Sequence, residues 1–218
     1  MPAPLAQLLL IALAALPGLG SKDPRLALWQ FGRSFQNRQL TPEAQRPVLD
    51  YLTALERSAD LKEPASRAKF MVSALSVGQV APDIAGRDLD GVPFKLSDYR
   101  GKVVLLTFSG DWCGICRAQY PVERRLQELS GAGTKPFVIL SVDSGASPAE
   151  SRAALAREHL TYRAWWDGGG AKPTSGPIAT QWNVVGWPAT YVIDEHGVIR
   201  YVDLLQTDLI NTVQALLK

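Results

Sequence analysis

The sequence predicts an α/β fold, a mixed central sheet with helices on both faces, preceded by a small helical segment. Three observations carry that prediction. Nearly continuous apolar runs at 103–108 and 137–142 read as strands buried on both faces. Helix-type stretches alternate with them, one opening on the capping box Ser147-Pro148-Ala149-Glu150. Two further strand candidates, 189–194 and 198–202, are joined by Glu195-His196-Gly197 and followed by an amphipathic helix over 208–217.

The chain divides into three parts. Residues 1–20 read as a signal peptide: the apolar run at 5–16 is short for a membrane span, and Gly18 and Gly20 suit cleavage before Ser21. No Lys or Arg precedes the run, so an N-terminal core helix or an uncleaved anchor is the alternative, the anchor being the one expected route to a membrane. No cysteine follows it, which excludes a lipid anchor there. Residues 21–76 form the helical segment. Thr41-Pro42-Glu43 is a helix start, with Val48, Leu49, Tyr51, Leu52 and Leu55 on one face, and a second helix covers 65–75. Residues 77–218 form the α/β domain, beginning with a β-hairpin that turns at Asp90-Gly91. A helix over 113–129 should kink at Pro121. The stretch from Trp165 to Gly176 reads as irregular and glycine-rich.

Apolar residues make up 46% of the 218 residues and the net charge is +2 without long runs of one sign, so no nucleic-acid partner is expected. The two cysteines, Cys113 and Cys116, stand three positions apart, which rules out a multi-disulfide scaffold and a four-cysteine zinc site. A redox pair, half of a mixed zinc site with His159 and His196, and a structural disulfide remain open. Position favours redox. Where a buried strand meets a helix, unpaired amides and the helix dipole stabilise a thiolate at Cys113, with Cys116 one turn further in to resolve a mixed disulfide. A second signature, Gly186-Trp187-Pro188-Ala189-Thr190-Tyr191, places a proline at the start of a strand, where its missing N–H does least harm.

The segments Ala81-Pro82-Asp83, 96–106, Trp112-Cys113-Gly114-Ile115-Cys116 and Gly186-Trp187-Pro188-Ala189-Thr190 resemble the TlpA/ResA-like branch of the thioredoxin superfamily, grouped with the alkyl hydroperoxide reductase/thiol-specific antioxidant domains. The resemblance covers about residues 77–218 and implies a thioredoxin fold. It implies Cys113 as nucleophile, Cys116 as resolving thiol and Pro188 as the cis-proline. Trp112, Gly114, Ile115 and Trp187 become the support and substrate-contact set. It further implies an exported bacterial protein of the periplasm or cell envelope that exchanges disulfides with proteins, acts as a reductase, draws on a thiol–disulfide electron donor, and needs neither metal nor cofactor beyond its own disulfide.

Departures from the family pattern limit this carry-over. Thr107 stands where thioredoxin has a buried Asp, Gln119 where several relatives carry Glu, and Ile115 where proline is common, so the usual groups that tune thiol pKa are absent. Asp111 is a weak substitute, expected to point outward. Trp165, Trp166 and Trp182 read as packing, Asp167-Gly168-Gly169-Gly170 as a loop without phosphate-binding context, Arg124 and Arg125 as a solvated helix face, and the two histidines as surface residues. Two rival functions remain: a thiol peroxidase of the peroxiredoxin branch, whose Pro-x-x-x-Thr-x-x-Cys pattern does not precede Cys113, and a thioredoxin-fold binding module without turnover.

Overall fold

A computed structural model describes residues 23–129, 133–168 and 176–218. The signal-peptide reading of residues 1–20 lies outside the described residues, as does the glycine-rich stretch 169–175. Among the described residues no helix is long and apolar enough to cross a membrane. The chain forms two compact units, one ending at Gln79 and the other running Val80–Lys218.

The first unit is three helices, α1 (Pro24–Gln36), α2 (Pro42–Leu55) and α3 (Lys62–Ala74). Asp23 and Thr41 cap α1 and α2, accepting from Arg25 N and Ala44 N, and each helix begins with proline, whose missing N–H costs nothing there. Leu28, Phe31, Phe35, Val48, Leu52, Ala65, Ala68 and Val72 form its core, with Leu49, Tyr51 and Leu55 packed on the rim. Gly32 lets α1 approach α3 closely, since a Cβ there would lie 3.1 Å from the backbone of Ala68.

The second unit begins with a hairpin, β1 (Ala85–Arg87) and β2 (Pro93–Lys95), turning through Gly91 at φ +82°. A five-stranded sheet follows, built from β3 (Val103–Ser109), β4 (Phe137–Asp143), β5 (Arg163–Trp166), β6 (Ala189–Ile193) and β7 (Ile199–Val202) in the order β5-β4-β3-β6-β7. The β3/β4 and β4/β5 pairs are parallel, while β3/β6 and β6/β7 are antiparallel. All of β3 is buried, as its unbroken apolar run requires at the centre of a covered sheet. The helices are α4 (Gly114–Arg117), α5 (Tyr120–Glu128), α6 (Pro148–Arg157), α7 (Pro177–Gln181) and α8 (Gln206–Leu216). Leu126 of α5 and Leu209, Val213 and Leu217 of the C-terminal segment pack on Val103, Leu105, Ile139 and Val192. Trp182 packs on Phe108 and Tyr191, residues whose side chains alternate with those of Val103 and Leu105 on β3 and of Val192 on β6.

Two expectations are corrected. The helix predicted over 113–129 is not a kinked rod but two helices, α4 and α5. Pro121 has no N–H for the carbonyl of Arg117, and its ring excludes that carbonyl. The chain tightens instead, with Gln119 N donating to Cys116 O (2.9 Å), and restarts with Pro121 in the first turn of α5. The stretch beginning at Trp165 is not irregular at its start, because Trp165 and Trp166 belong to edge strand β5. Trp165 is fully buried and stacks on Phe94 of the hairpin, centroids 4.0 Å apart and planes within 9°. Gly86 permits this, since a Cβ there would lie 2.9 Å from the indole. Asp167, just after β5, accepts from Ile178 N (2.6 Å) and Ala179 N (3.0 Å) and so caps α7 from a distance.

Candidate active site

The end of β3 and the turn that follows build the site. Ser109 closes the strand, and Gly110, Asp111 and Trp112 lead to Cys113, the N-cap of α4. Cys113 and Cys116 are joined as a disulfide, with S–S 2.27 Å and Cα atoms 5.2 Å apart. Cys113 is 7% exposed and Cys116 1%, so Cys113 is the more accessible of the two. Cys116 N donates to Cys113 Sγ at 3.1 Å. α4 is only four residues long, so the dipole at Cys113 is that of a short helix, with this amide donating directly to the sulfur.

Gly114 and Ile115 form the outer face of the same turn, and Ile115 is 61% exposed. Trp112 is 46% exposed, and its ring lies 6.0 Å from that of Trp187. That contact brings the downstream motif to the cysteines across the sheet. The Trp187–Pro188 peptide is cis, and the strand β6 starts immediately after it at Ala189. Val185, 54% exposed, adds to the apolar surface on this side. All the predicted site residues therefore fall on one active-site turn or on the loop whose indole touches it.

The departures are visible too. Thr107 is buried between Ser141 and Thr190 on the neighbouring strands. Gln119 is buried, and its Oε1 accepts from Gln206 N at 3.0 Å, tying the break between α4 and α5 to the start of α8. Asp111 points outward to Arg157, 2.8 Å away. Arg124 is less free than predicted, since it donates to the Glu158 carbonyl at 2.9 Å, whereas Arg125 pairs with Glu128 on an exposed face. Trp165 and Trp182 are buried packing residues, and both histidines are exposed in turns. Among the described residues no group of three or more His, Cys, Asp or Glu could hold a metal ion.

Three polar residues near the site escaped the sequence reading. Ser144, just past β4, accepts from the Trp112 indole. Asp143, opposite Ser109 in the sheet, is 4% exposed, and burial holds its pKa above the usual carboxylate value. Glu123 of α5 accepts from Tyr162 Oη at 2.7 Å, and burial pushes its pKa up to about 7 against the pull of that bond and of Arg124. Its spacing, three residues from both Tyr120 and Leu126, places it on their buried stripe. That spacing was the available signal.

The sequence profile of the AhpC/TSA family matches residues 77–202, more than half of the chain. The chain belongs to the AhpC/TSA family. The thiol-disulfide oxidoreductase ResA of Geobacillus kaustophilus is 33% identical over 131 residues, 60% of this chain and 70% of its own. The thioredoxin-like protein YneN of Bacillus subtilis is 32% identical over 123 residues, covering 56% and 68% respectively. The thioredoxin domain of a thiol-disulfide oxidoreductase from Bacteroides vulgatus superposes with a TM-score of 0.58 at 26% identity, covering 66% of this chain and all of that one. With its cysteine pair at disulfide distance, this AhpC/TSA chain is a thioredoxin-fold thiol–disulfide oxidoreductase.

Proposed function

We propose that the protein reduces disulfides in protein substrates, with Cys113 attacking and Cys116 resolving, and uses no cofactor beyond this pair. The unequal exposure of the two cysteines carries the assignment of roles. In the reduced enzyme the Cys113 thiolate attacks one sulfur of a substrate disulfide. The substrate S–S bond breaks, its second sulfur leaves as a thiolate that takes up a proton, and a mixed disulfide remains. The Cys116 thiolate then attacks Cys113 Sγ and expels the first substrate sulfur, so two electrons pass to the substrate and the Cys113–Cys116 disulfide forms. A thiol–disulfide donor restores the dithiol.

A reducing direction is favoured by how little holds the thiolate. A four-residue helix and one amide on Cys113 Sγ stabilise it, and Thr107 and Gln119 add no charge. A weakly stabilised dithiol form is the more reducing one. The apolar run at 5–16 supports export, and hence a bacterial envelope substrate.

The test is trapping. Cys116→Ser should accumulate mixed disulfides with envelope proteins, and Cys113→Ser should abolish exchange. No trapped protein, or peroxide turnover far faster than insulin reduction, would overturn the protein-reductase reading. A reduction potential near about −120 mV instead of about −230 mV or below would reverse the direction.

A further inference from the structure

A cavity of about 310 Å³ has Trp112, the chain neighbour of Cys113, in its wall. Its volume is roughly ten water molecules, room for a side chain and not merely for a bridging solvent. Three carboxyl-bearing residues, Asp111, Asp143 and Glu150, line it, and no described Lys or Arg does. Asp111 is already compensated from outside the cavity by Arg157 at 2.8 Å, and its carbonyl accepts from Arg117. Glu150 is exposed and forms no ion pair among the described residues.

Asp143 is the most buried of the three. It is 4% exposed, yet only one of its two carboxylate oxygens is used. Oδ1 accepts from Gly145 N at 2.8 Å and from Ser151 Oγ. Oδ2 receives no hydrogen bond from any described residue and is not sealed from solvent, and the cavity is the space that Asp143 lines. A carboxylate oxygen open to the cavity has only water to accept from, and can exchange that water for the N–H of an entering cation. The indole of Trp112, pinned by Ser144, presents an aromatic surface to the same space.

We propose that this cavity is a cation subsite for the substrate polypeptide, taking an arginine side chain ahead of lysine close to the cysteine that Cys113 attacks. The proposal rests on the thiol–disulfide reading above. A guanidinium fits both halves of the wall: it donates in a planar fork to carboxylates and stacks on indole, whereas an ammonium does the first only as a point charge. Burial and the neighbouring Asp111 charge keep the Asp143 carboxyl above its usual pKa, and a cation in the cavity would favour the ionised form.

The experiment uses the full chain, reduced, with a set of cystine peptides carrying arginine, lysine, norleucine or glutamate beside the cysteine, and neutral hydroxyethyl disulfide as a small substrate. The arginine peptide should exceed the norleucine peptide in kcat/KM by about tenfold, lysine should fall between, and glutamate should be slowest. Glu150→Gln, on the exposed wall, and Asp143→Asn, which keeps an acceptor for Gly145 and Ser151, should each move the arginine-to-norleucine ratio toward one. Arginine amide should inhibit reduction of the arginine peptide and spare the norleucine peptide. Equal rates for arginine and norleucine peptides, with hydroxyethyl disulfide reduced normally, would overturn the subsite and leave the oxidoreductase intact. Loss of all reduction, hydroxyethyl disulfide included, would overturn the underlying reading and the subsite with it. A ratio unchanged in both variants would also overturn it.

Discussion

The indole N–H of Trp112 is shared between the two oxygens of Ser144, its carbonyl and its hydroxyl, each 3.2 Å away. The Ser144 hydroxyl in turn donates to the carbonyl of Ser109 at 2.9 Å, so the end of β3, the loop after β4 and the tryptophan beside Cys113 form one hydrogen-bonded unit. Gly110 makes it possible. A Cβ there would collide with Trp112 Nε1 and lie 2.9 Å from Ser144 Oγ.

Gly110→Ala should therefore expel the indole, lower kcat/KM for protein disulfides by about tenfold and cost about 1–3 kcal/mol. Ser144→Ala, which leaves the carbonyl acceptor, should do less. Tryptophan fluorescence and chemical denaturation check both. An unchanged spectrum in Gly110→Ala would mean the clamp is absent in solution.

Ile115 stands 61% exposed on the cysteine turn, apolar and without covering contacts to justify it inside this chain. Covering it with substrate removes apolar surface from water. Ile115→Glu should reduce kcat/KM for a protein disulfide by about tenfold while changing hydroxyethyl disulfide reduction by less than about twofold. The two rates are measured on the same preparation, and a parallel fall in both would assign Ile115 to the chemistry of the pair instead of to docking.

Glu123 makes stability depend on pH. Its carboxyl ionises near 4.5 when unfolded and at about 7 when folded, because burial disfavours the anion. Between those values the native state holds a proton that the unfolded state has released. The stabilisation is complete below the lower value and is lost as pH rises through the upper one, by up to about 3 kcal/mol. Asp143 and Asp167, also raised by burial, add slope of the same sign. Glu123→Gln should flatten the pH dependence and be the more stable protein at about pH 8, as urea titrations at about pH 5 and about pH 8 would reveal. A variant that kept the wild-type slope would remove Glu123 as its source.

Trp165→Ala should cost about 3–5 kcal/mol, because the indole is fully buried and its removal opens a cavity between β5 and the hairpin. Calorimetry reads the loss, and hydrogen exchange should show hairpin amides opening before those of β3.

How far the sequence discloses this molecule follows from the range of each signal. β3, the capping box, the hairpin turn and the cysteine pair are encoded within a few neighbouring residues, and they are legible there. Strand β5 is not. Its four residues, Arg163 to Trp166, become a strand by pairing with β4 and by stacking on Phe94, 71 positions from Trp165. Pro121 announces a disturbance, but whether a helix bends or breaks depends on what the flanking turn can bond to, here Cys116 O and Gln119 O. Within the site, the disulfide turn and Trp187-Pro188 are readable. Glu123 is legible only through its place on the stripe of Tyr120 and Leu126, and Asp143 is not, because an acid beside a polar stretch looks solvated until the neighbouring elements close over it.

The interruption at Ala118–Gln119 has a mechanical consequence for the cysteine turn. A cysteine turn fused to α5 would act as a lever, and each change of oxidation state would be transmitted along a long rod. Here the turn ends after Arg117, while the Gln119 side chain is moored to Gln206 at the head of α8. A rearrangement of the pair would meet a loop before it met α5, and that loop is fastened to α8. The turn and the helix behind it are thus mechanically separable, where one continuous helix would have tied them together.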